Sequence, residues 1–183
     1  MILKPQDILV LLKLISMGPK TWSYHELATS LGMSPSEVHA AIRRSVAAQL
    51  AIETKNNIYP NISNLEEFLI HGLKYAFVPD RGELTRGFPT RYAAPPLLNS
   101  ISSEEYPPVW PDPEGNTRGS SFSPLYNSAP KAALMDKSLY ALLVIIDALR
   151  GGSAREKELA VKRIKETLKR YGKQQQATKS SNY

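Results

Sequence analysis

Residues 31–44 read LGMSPSEVHAAIRR, and this stretch decides the fold. Gly32 ends one helix, because glycine takes the left-handed conformation that a helix end needs. Ser34, Pro35 and Glu37 start the next: a serine N-cap, a proline at the first helical position and a glutamate three residues after the cap. That second helix is expected over 35–50, with Val38, Ile42 and Leu50 inward and Ala41 and Val46 beside them. Two helices joined by so short a turn approach closely, and Ala28 supplies the small side chain where they do. Leu27, Leu31 and Met33 complete the apolar lock. The residues left pointing outward are Ser36, His39, Ala40, Arg43 and, obliquely, Arg44.

On the N-terminal side, Pro5 suits the first turn of a helix, and Ile8, Leu9, Leu11, Leu12, Leu14 and Ile15 make that helix largely buried before Gly18-Pro19 stops it. Lys4, Asp7 and Lys13 interrupt the run, which is too short to span a bilayer, and no small-residue cleavage site follows it. Ser23 and Glu26 form a further capping box, opening a helix that ends at Leu31. On the C-terminal side, 51–54 reads as a short strand, Lys55-Asn56-Asn57 as a turn and 58–60 as the returning strand. A helix is expected from Ser63 or Asn64 to Leu73, and 75–78 as one more strand.

A pair of helices with this turn places the N-terminal half of its second helix in the DNA major groove. Ser34, Ser36, His39, Ala40, Arg43 and Arg44, with Lys55, Asn56 and Asn57 at the hairpin tip, are the candidate DNA-binding residues. Arginine offers a planar fork to guanine or phosphate, and the N–H groups at the helix start offer a phosphate site. The segment WSYHELATSLGMSPSEVHAAIRR (22–44) resembles the winged helix-turn-helix of bacterial transcriptional regulators of the MarR-like and related types. The resemblance covers about residues 4–75. It implies double-stranded DNA as partner, with helix 35–50 in the major groove and hairpin 51–60 as the wing. The remainder, including RGELTRGFPTRYAAPPL and IDALRGGSAREKELAVKRIKETL, is similar to C-terminal halves of uncharacterised prokaryotic proteins of this kind and implies no function.

Beyond residue 78 the composition changes. Ten of the 14 prolines fall between 79 and 130, a density that excludes long regular elements. An extended, mostly irregular segment packed over the rest is expected there. Within it Arg81, Arg86 and Arg91 recur every five residues, and the first two precede glycines. They are candidates for binding an anion or a protein partner. The competing reading is a clasp, in which they pair with Asp80, Glu83, Glu104 or Glu105, or with helix C-termini.

From Ala132 the chain reads as helical again. Residues 139–146 are apolar all round, Gly151-Gly152 breaks that helix, and Ser153 with Glu156 caps a last one bearing a Val161, Ile164, Leu168 and Tyr171 stripe. The tail from 173 is polar and is expected to be disordered. The fold class is therefore mainly α: a winged helix-turn-helix over 1–78, a proline-rich segment over 79–131, a helical pair over 132–172 and a tail over 173–183.

The net charge of +6 is uneven. Residues 1–78 carry 7 Lys+Arg against 6 Asp+Glu, 79–130 carry 4 against 6, and 131–183 carry 12 against 5. The basic part is thus C-terminal, which favours a polyanionic partner or is simply a solvated face. The absence of cysteine excludes thiolate chemistry and fits a cytoplasmic location. His25, His39 and His71 have no metal-ligand spacing, and no phosphate loop or nucleophile elbow is present. Neither catalysis nor a cofactor is expected. A homodimer suits a two-fold operator, and the 139–146 helix and the 161–171 stripe are candidate interfaces or, alternatively, intramolecular packing. The rival functional reading is a protein-interaction module, an adaptor or antitoxin-like subunit, with 79–130 as its contact surface.

Overall fold

A computed structural model describes residues 1–55, 57–98 and 105–180. The chain is rich in helix, with two small sheets. Three helices open it: α1 (Pro5–Met17), α2 (Tyr24–Leu31) and α3 (Pro35–Ala47). The three expected capping boxes are present, Ser23 with Glu26, Ser34 with Glu37 and Ser153 with Glu156. Gly32 takes φ 62°, and Met33 N–H returns to the Ala28 carbonyl, so the tight turn forms as its glycine requires.

α3 ends three residues before the expected 50. Gln49 takes φ 58°, and the Gln49 and Leu50 N–H groups return to the Val46 and Ser45 carbonyls. This is the same helix stop as at Gly32, made without glycine, which is why the sequence did not mark it. β1 (Ala51–Glu53) and β2 (Ile58–Pro60) then pair antiparallel as a hairpin.

The next helix starts earlier and runs later than expected. Asn61 caps α4 (Ile62–Glu67), a π-helical turn spans Phe68–Gly72, and α5 (Leu73–Ala76) continues it. The strand expected at 75–78 is therefore not formed: its first two residues finish a helix, and Tyr75 and Val78 are exposed.

The proline-rich segment is more regular than its composition suggested. β3 (Arg81–Pro89) pairs antiparallel with both β4 (Pro108–Pro111) and β5 (Thr117–Phe122), and β4 and β5 touch in parallel, closing a three-stranded barrel. The two longer strands occupy the gaps in the proline pattern, between Pro79 and Pro89 and between Pro113 and Pro124. So small a closed sheet brings backbones into contact. A Cβ on Gly87 would lie 2.0 Å from the Trp110 carbonyl oxygen, and one on Gly119 would lie 1.9 Å from that of Pro107. The glycine after Arg86 thus serves the sheet's own closure.

α6 (Ala129–Leu134) and α7 (Lys137–Gly151) follow, then α8 (Ala154–Ser180). α8 carries the helix through the polar tail expected to be disordered, as far as Ser180; residues 181–183 lie outside the described residues. The expected pairing of the C-terminal helices is only part of their packing: α7 also packs on α1, and α8 on α4. One cluster of buried side chains runs through α1, α2, α3, α7 and α8. The 139–146 run and Ile164, Leu168 and Tyr171 are buried in this cluster within a single chain. Neither stripe is therefore free to serve as the dimer interface considered from the sequence, because each is spent on covering the same core. No described helix is long and apolar enough to cross a membrane.

Candidate nucleic-acid interface

α3 presents two faces. Val38, Ala41, Ile42 and Ser45 are buried, and Ser36, His39, Arg43 and Ala47 form an exposed row on the opposite side at helical spacing, with Ala40 half-buried at its edge. No other described part of the chain covers that row. His39 lies 5.2 Å from the Tyr24 ring, and Tyr24 meets Trp22 edge-on at 5.4 Å, so an aromatic row extends from α2 onto α3. Burial, then the nearby Glu53 carboxylate, raises the Tyr24 pKa above the usual phenol value, and Arg43 opposes them. The sequence signal for this row is the WSY triplet at the start of α2.

The two arginines of the opening segment have separate roles. Arg43 is exposed and forms no hydrogen bond or ion pair among the described residues. Arg44 points to the core and grips Asp7: Nε donates to Oδ2 at 2.8 Å and Nη2 to Oδ1 at 2.6 Å. Asp7 is fully buried, and its Oδ2 also accepts from Lys4 N–H at 2.9 Å. The Asp7 hydrogen bond, against the opposing effect of burial, holds the Arg44 pKa above its ordinary value. Arg44 is thus a tie between α1 and α3 and not part of the presented row, a correction to the sequence assignment.

The start of α3 is also occupied. Ser34 Oγ accepts from Glu37 N–H, and Glu37 Oε2 accepts from Ser34 N–H at 2.7 Å. These Ser34 hydrogen bonds hold the Glu37 carboxyl below its usual range, and Tyr126 OH donates to its other oxygen at 3.4 Å. A carboxylate therefore stands where a phosphate was expected, and Ser34 acts as a cap.

At the hairpin, Lys55 and Asn57 are exposed, while Thr54 and Asn57 bond each other's backbone and shape the turn. Asn56 lies outside the described residues. The last turns of α8 reach this hairpin. Tyr171, Gln175 and Thr178 share a cleft of about 110 Å³ with Asn57, Ile58 and Tyr59 of the hairpin and with Lys20 and Trp22 of the α1–α2 connection.

The three candidate arginines of 79–130 are distributed differently. Arg81 Nη2 donates to the Gly151 carbonyl at the end of α7, the helix C-terminus considered as a clasp partner. Arg91 is buried with φ 54°, and Nε and Nη2 donate to the two oxygens of the buried Glu156. Glu104, a further partner considered for this loop, lies outside the described residues. Arg86 remains outward, directly across the strand pair from Arg118, which is also exposed.

Beside this clasp lies a polar cluster that the sequence did not announce. Asp147 is buried in α7 just after the apolar 139–146 run; it accepts from Thr90 Oγ1 at 2.7 Å, Trp110 Nε1 at 2.6 Å and Arg150 Nη1 at 2.8 Å. Burial, outweighing these partners, raises its pKa. Arg150 in turn donates to the Phe77 and Ser123 carbonyls, stitching α5, the barrel and α7 together. These groups are saturated by one another and have no open approach, so they hold the barrel on the helices. Among the described residues no group of three or more His, Asp or Glu gathers into a metal site.

No known protein family matches the chain, and neither a curated protein nor a solved structure does.

Proposed function

We propose that the protein binds double-stranded DNA sequence-specifically as a transcriptional regulator. In this reading α1–α3 and the β1–β2 hairpin form a winged helix-turn-helix, with α3 in the major groove and the hairpin as wing. The observation that carries it is the uncovered row Ser36, His39, Arg43 and Ala47 on a helix whose other face is locked into the core. Arg43 reads a base edge, most suitably guanine O6 and N7; His39 and Ser36 contact neighbouring bases or phosphates; Lys55 and Asn57 meet the flanking backbone. Two copies on a palindromic site would meet through a surface other than the buried 139–146 and 161–171 stripes.

The rival reading, an interaction module using 79–130, loses support because Arg91 is buried against Glu156 and Arg81, though exposed, is engaged by the Gly151 carbonyl. What favours it is charge: Glu37 on α3 and Glu53 beside Tyr24 stand near the presented row, which is therefore not strongly basic.

Selection from a random duplex library, followed by anisotropy with the enriched duplex and a scrambled one, tests the proposal. The expected result is an enriched motif and a loss of about 5- to 150-fold in discrimination for Arg43→Ala, the value of one bidentate base contact of roughly 1–3 kcal/mol. No enrichment, or full discrimination by R43A, refutes it.

A further inference from the structure

The chain's charge sits on one helix. α8 holds nine Lys and Arg (Arg155, Lys157, Lys162, Arg163, Lys165, Lys169, Arg170, Lys173, Lys179) against three acids (Glu156, Glu158, Glu166). Its net +6 equals that of the whole chain, so everything else sums to zero. Glu156 is withdrawn further, being buried against Arg91.

The charges are also arranged. Ala160, Ile164, Leu168 and Tyr171 bury one side of α8. At about 100° per residue, Lys162, Lys165, Lys169 and Lys173 fall on the opposite side as one stripe. All four are exposed, and none has a hydrogen bond or ion pair among the described residues. Glu158 and Glu166 share this face, four residues before and after Lys162, but four lysines against two acids still leave a basic surplus, which suits a partner of opposite sign. Lys162 to Lys173 spans about 16 Å at about 1.5 Å per residue, and one DNA strand carries a phosphate per about 3.4 Å of axis. The stripe is therefore long enough to meet four phosphates of one strand.

Position completes the case. The end of α8 lies in the cleft beside the hairpin and Lys20. The candidate reading surface itself has little net charge, since 1–78 carry 7 Lys+Arg against 6 Asp+Glu.

We propose that the outer face of α8, through Lys162, Lys165, Lys169 and Lys173, is a second DNA-contacting element that grips the phosphate backbone flanking the site read by α3. This rests on the reading of α3 as the recognition helix. It divides the labour: α3 supplies sequence discrimination with little charge, and α8 supplies sequence-independent affinity.

The test compares the full-length protein with K162Q/K165Q/K169Q/K173Q and with R43A. Duplex affinity is measured by anisotropy from 50 to 400 mM salt, on the enriched and the scrambled duplex. Each lost phosphate contact shallows the slope of log K against log salt by about 0.9. The quadruple variant is expected to shallow it by about three to four, to bind both duplexes on the order of 10³-fold more weakly at 0.1 M salt, and to keep its discrimination ratio. R43A is expected to do the reverse, losing discrimination and at most one unit of slope. The four side chains are solvated, so an unchanged melting temperature accompanies the effect. An unchanged slope in the quadruple variant overturns this inference and leaves the reading of α3 standing. A wild type without duplex affinity at 50 mM salt overturns both. Loss of binding to phosphatidylserine vesicles with duplex binding intact assigns the stripe to a membrane surface and overturns it too.

Discussion

Replacing Arg44 by alanine should unfold this protein more readily, while the same change at its neighbour Arg43 should not. Arg44 donates to both oxygens of Asp7, whose side chain is 0% exposed, and Arg44 itself is 13% exposed. Removing it leaves a carboxylate in the core with Lys4 N–H as its remaining partner. Breaking a buried pair from one side destabilises by about 3–5 kcal/mol. The exposed edge of the guanidinium lets water reach part of the gap, so the lower end, about 3 kcal/mol, is the better figure. For a chain of this size 1 kcal/mol moves the melting temperature by about 2–4 °C, so R44A should melt roughly 6–12 °C below wild type. R43A should stay within about 0.5 kcal/mol, as solvated substitutions do. Circular-dichroism melting and urea unfolding of R43A, R44A, Asp7→Ala and the D7A/R44A double variant measure this. The double variant should lose less than the sum of the singles, because it leaves no unpaired buried charge, whereas each single leaves one. An R44A melting point within 2 °C of wild type would refute the reasoning. The result also governs how DNA-binding variants are read: an R43A/R44A double variant that fails to bind reports unfolding as readily as lost contacts.

Three further outcomes follow from other sites. Asp147→Ala should destabilise by about 3–5 kcal/mol, since Arg150 is left buried without its carboxylate; Asp147→Asn, which keeps the volume and the hydrogen-bond acceptor for Trp110 and Thr90, should lose less, and equal loss in the two would show that these contacts contribute nothing beside the charge. Gly119→Ala should lower the melting temperature, because its Cβ would collide with the Pro107 carbonyl, whereas Gly172→Ala, with nothing within 4 Å inside α8, should raise stability by about 0.5–1 kcal/mol; opposite signs in thermal melts are the readout. Asp136 joins Lys13 and Ser16 of α1 to the start of α7. Burial pushes its pKa up, but the Lys13, Leu139 and Ser16 hydrogen bonds outweigh that and leave it lowered. A lowered folded pKa stabilises above the unfolded value, about 3.9, and that stability is lost as pH falls through the folded one. The wild type should therefore lose stability below about pH 4 more steeply than Asp136→Asn, and parallel melting curves at pH 7, 4 and 3 would contradict the assignment.

The first sixty residues were legible because their signals are local. A capping box, a proline at N1 and a glycine that must take positive φ act within four residues, and each reappears in the structure at Ser23, Ser34, Pro35 and Gly32. The outward row of α3 was legible for the same reason: helical periodicity sorts Ser36, His39 and Arg43 from Val38 and Ile42. Periodicity could not separate Arg43 from Arg44, adjacent residues near the edge of that row. Only the arrival of Asp7 from α1, 37 positions away in sequence, turns one arginine inward.

The barrel was hidden for a different reason. Along β3 exposure does not alternate, because three strands closing on themselves need glycine contacts and clasped arginines, not a period-two apolar face. The tail reads as disordered because polar composition argues for disorder when no core is in view, yet the helix continues to Ser180. In the fold, Tyr171, Gln175 and Thr178 rest beside the hairpin and carry the helix onward. Caps, turns and helix faces are thus written in neighbouring residues and survive without knowledge of the rest. Which charges are buried, which glycines are crowded and where α8 ends depend on segments distant in sequence, and those were decided only when one core drew them together.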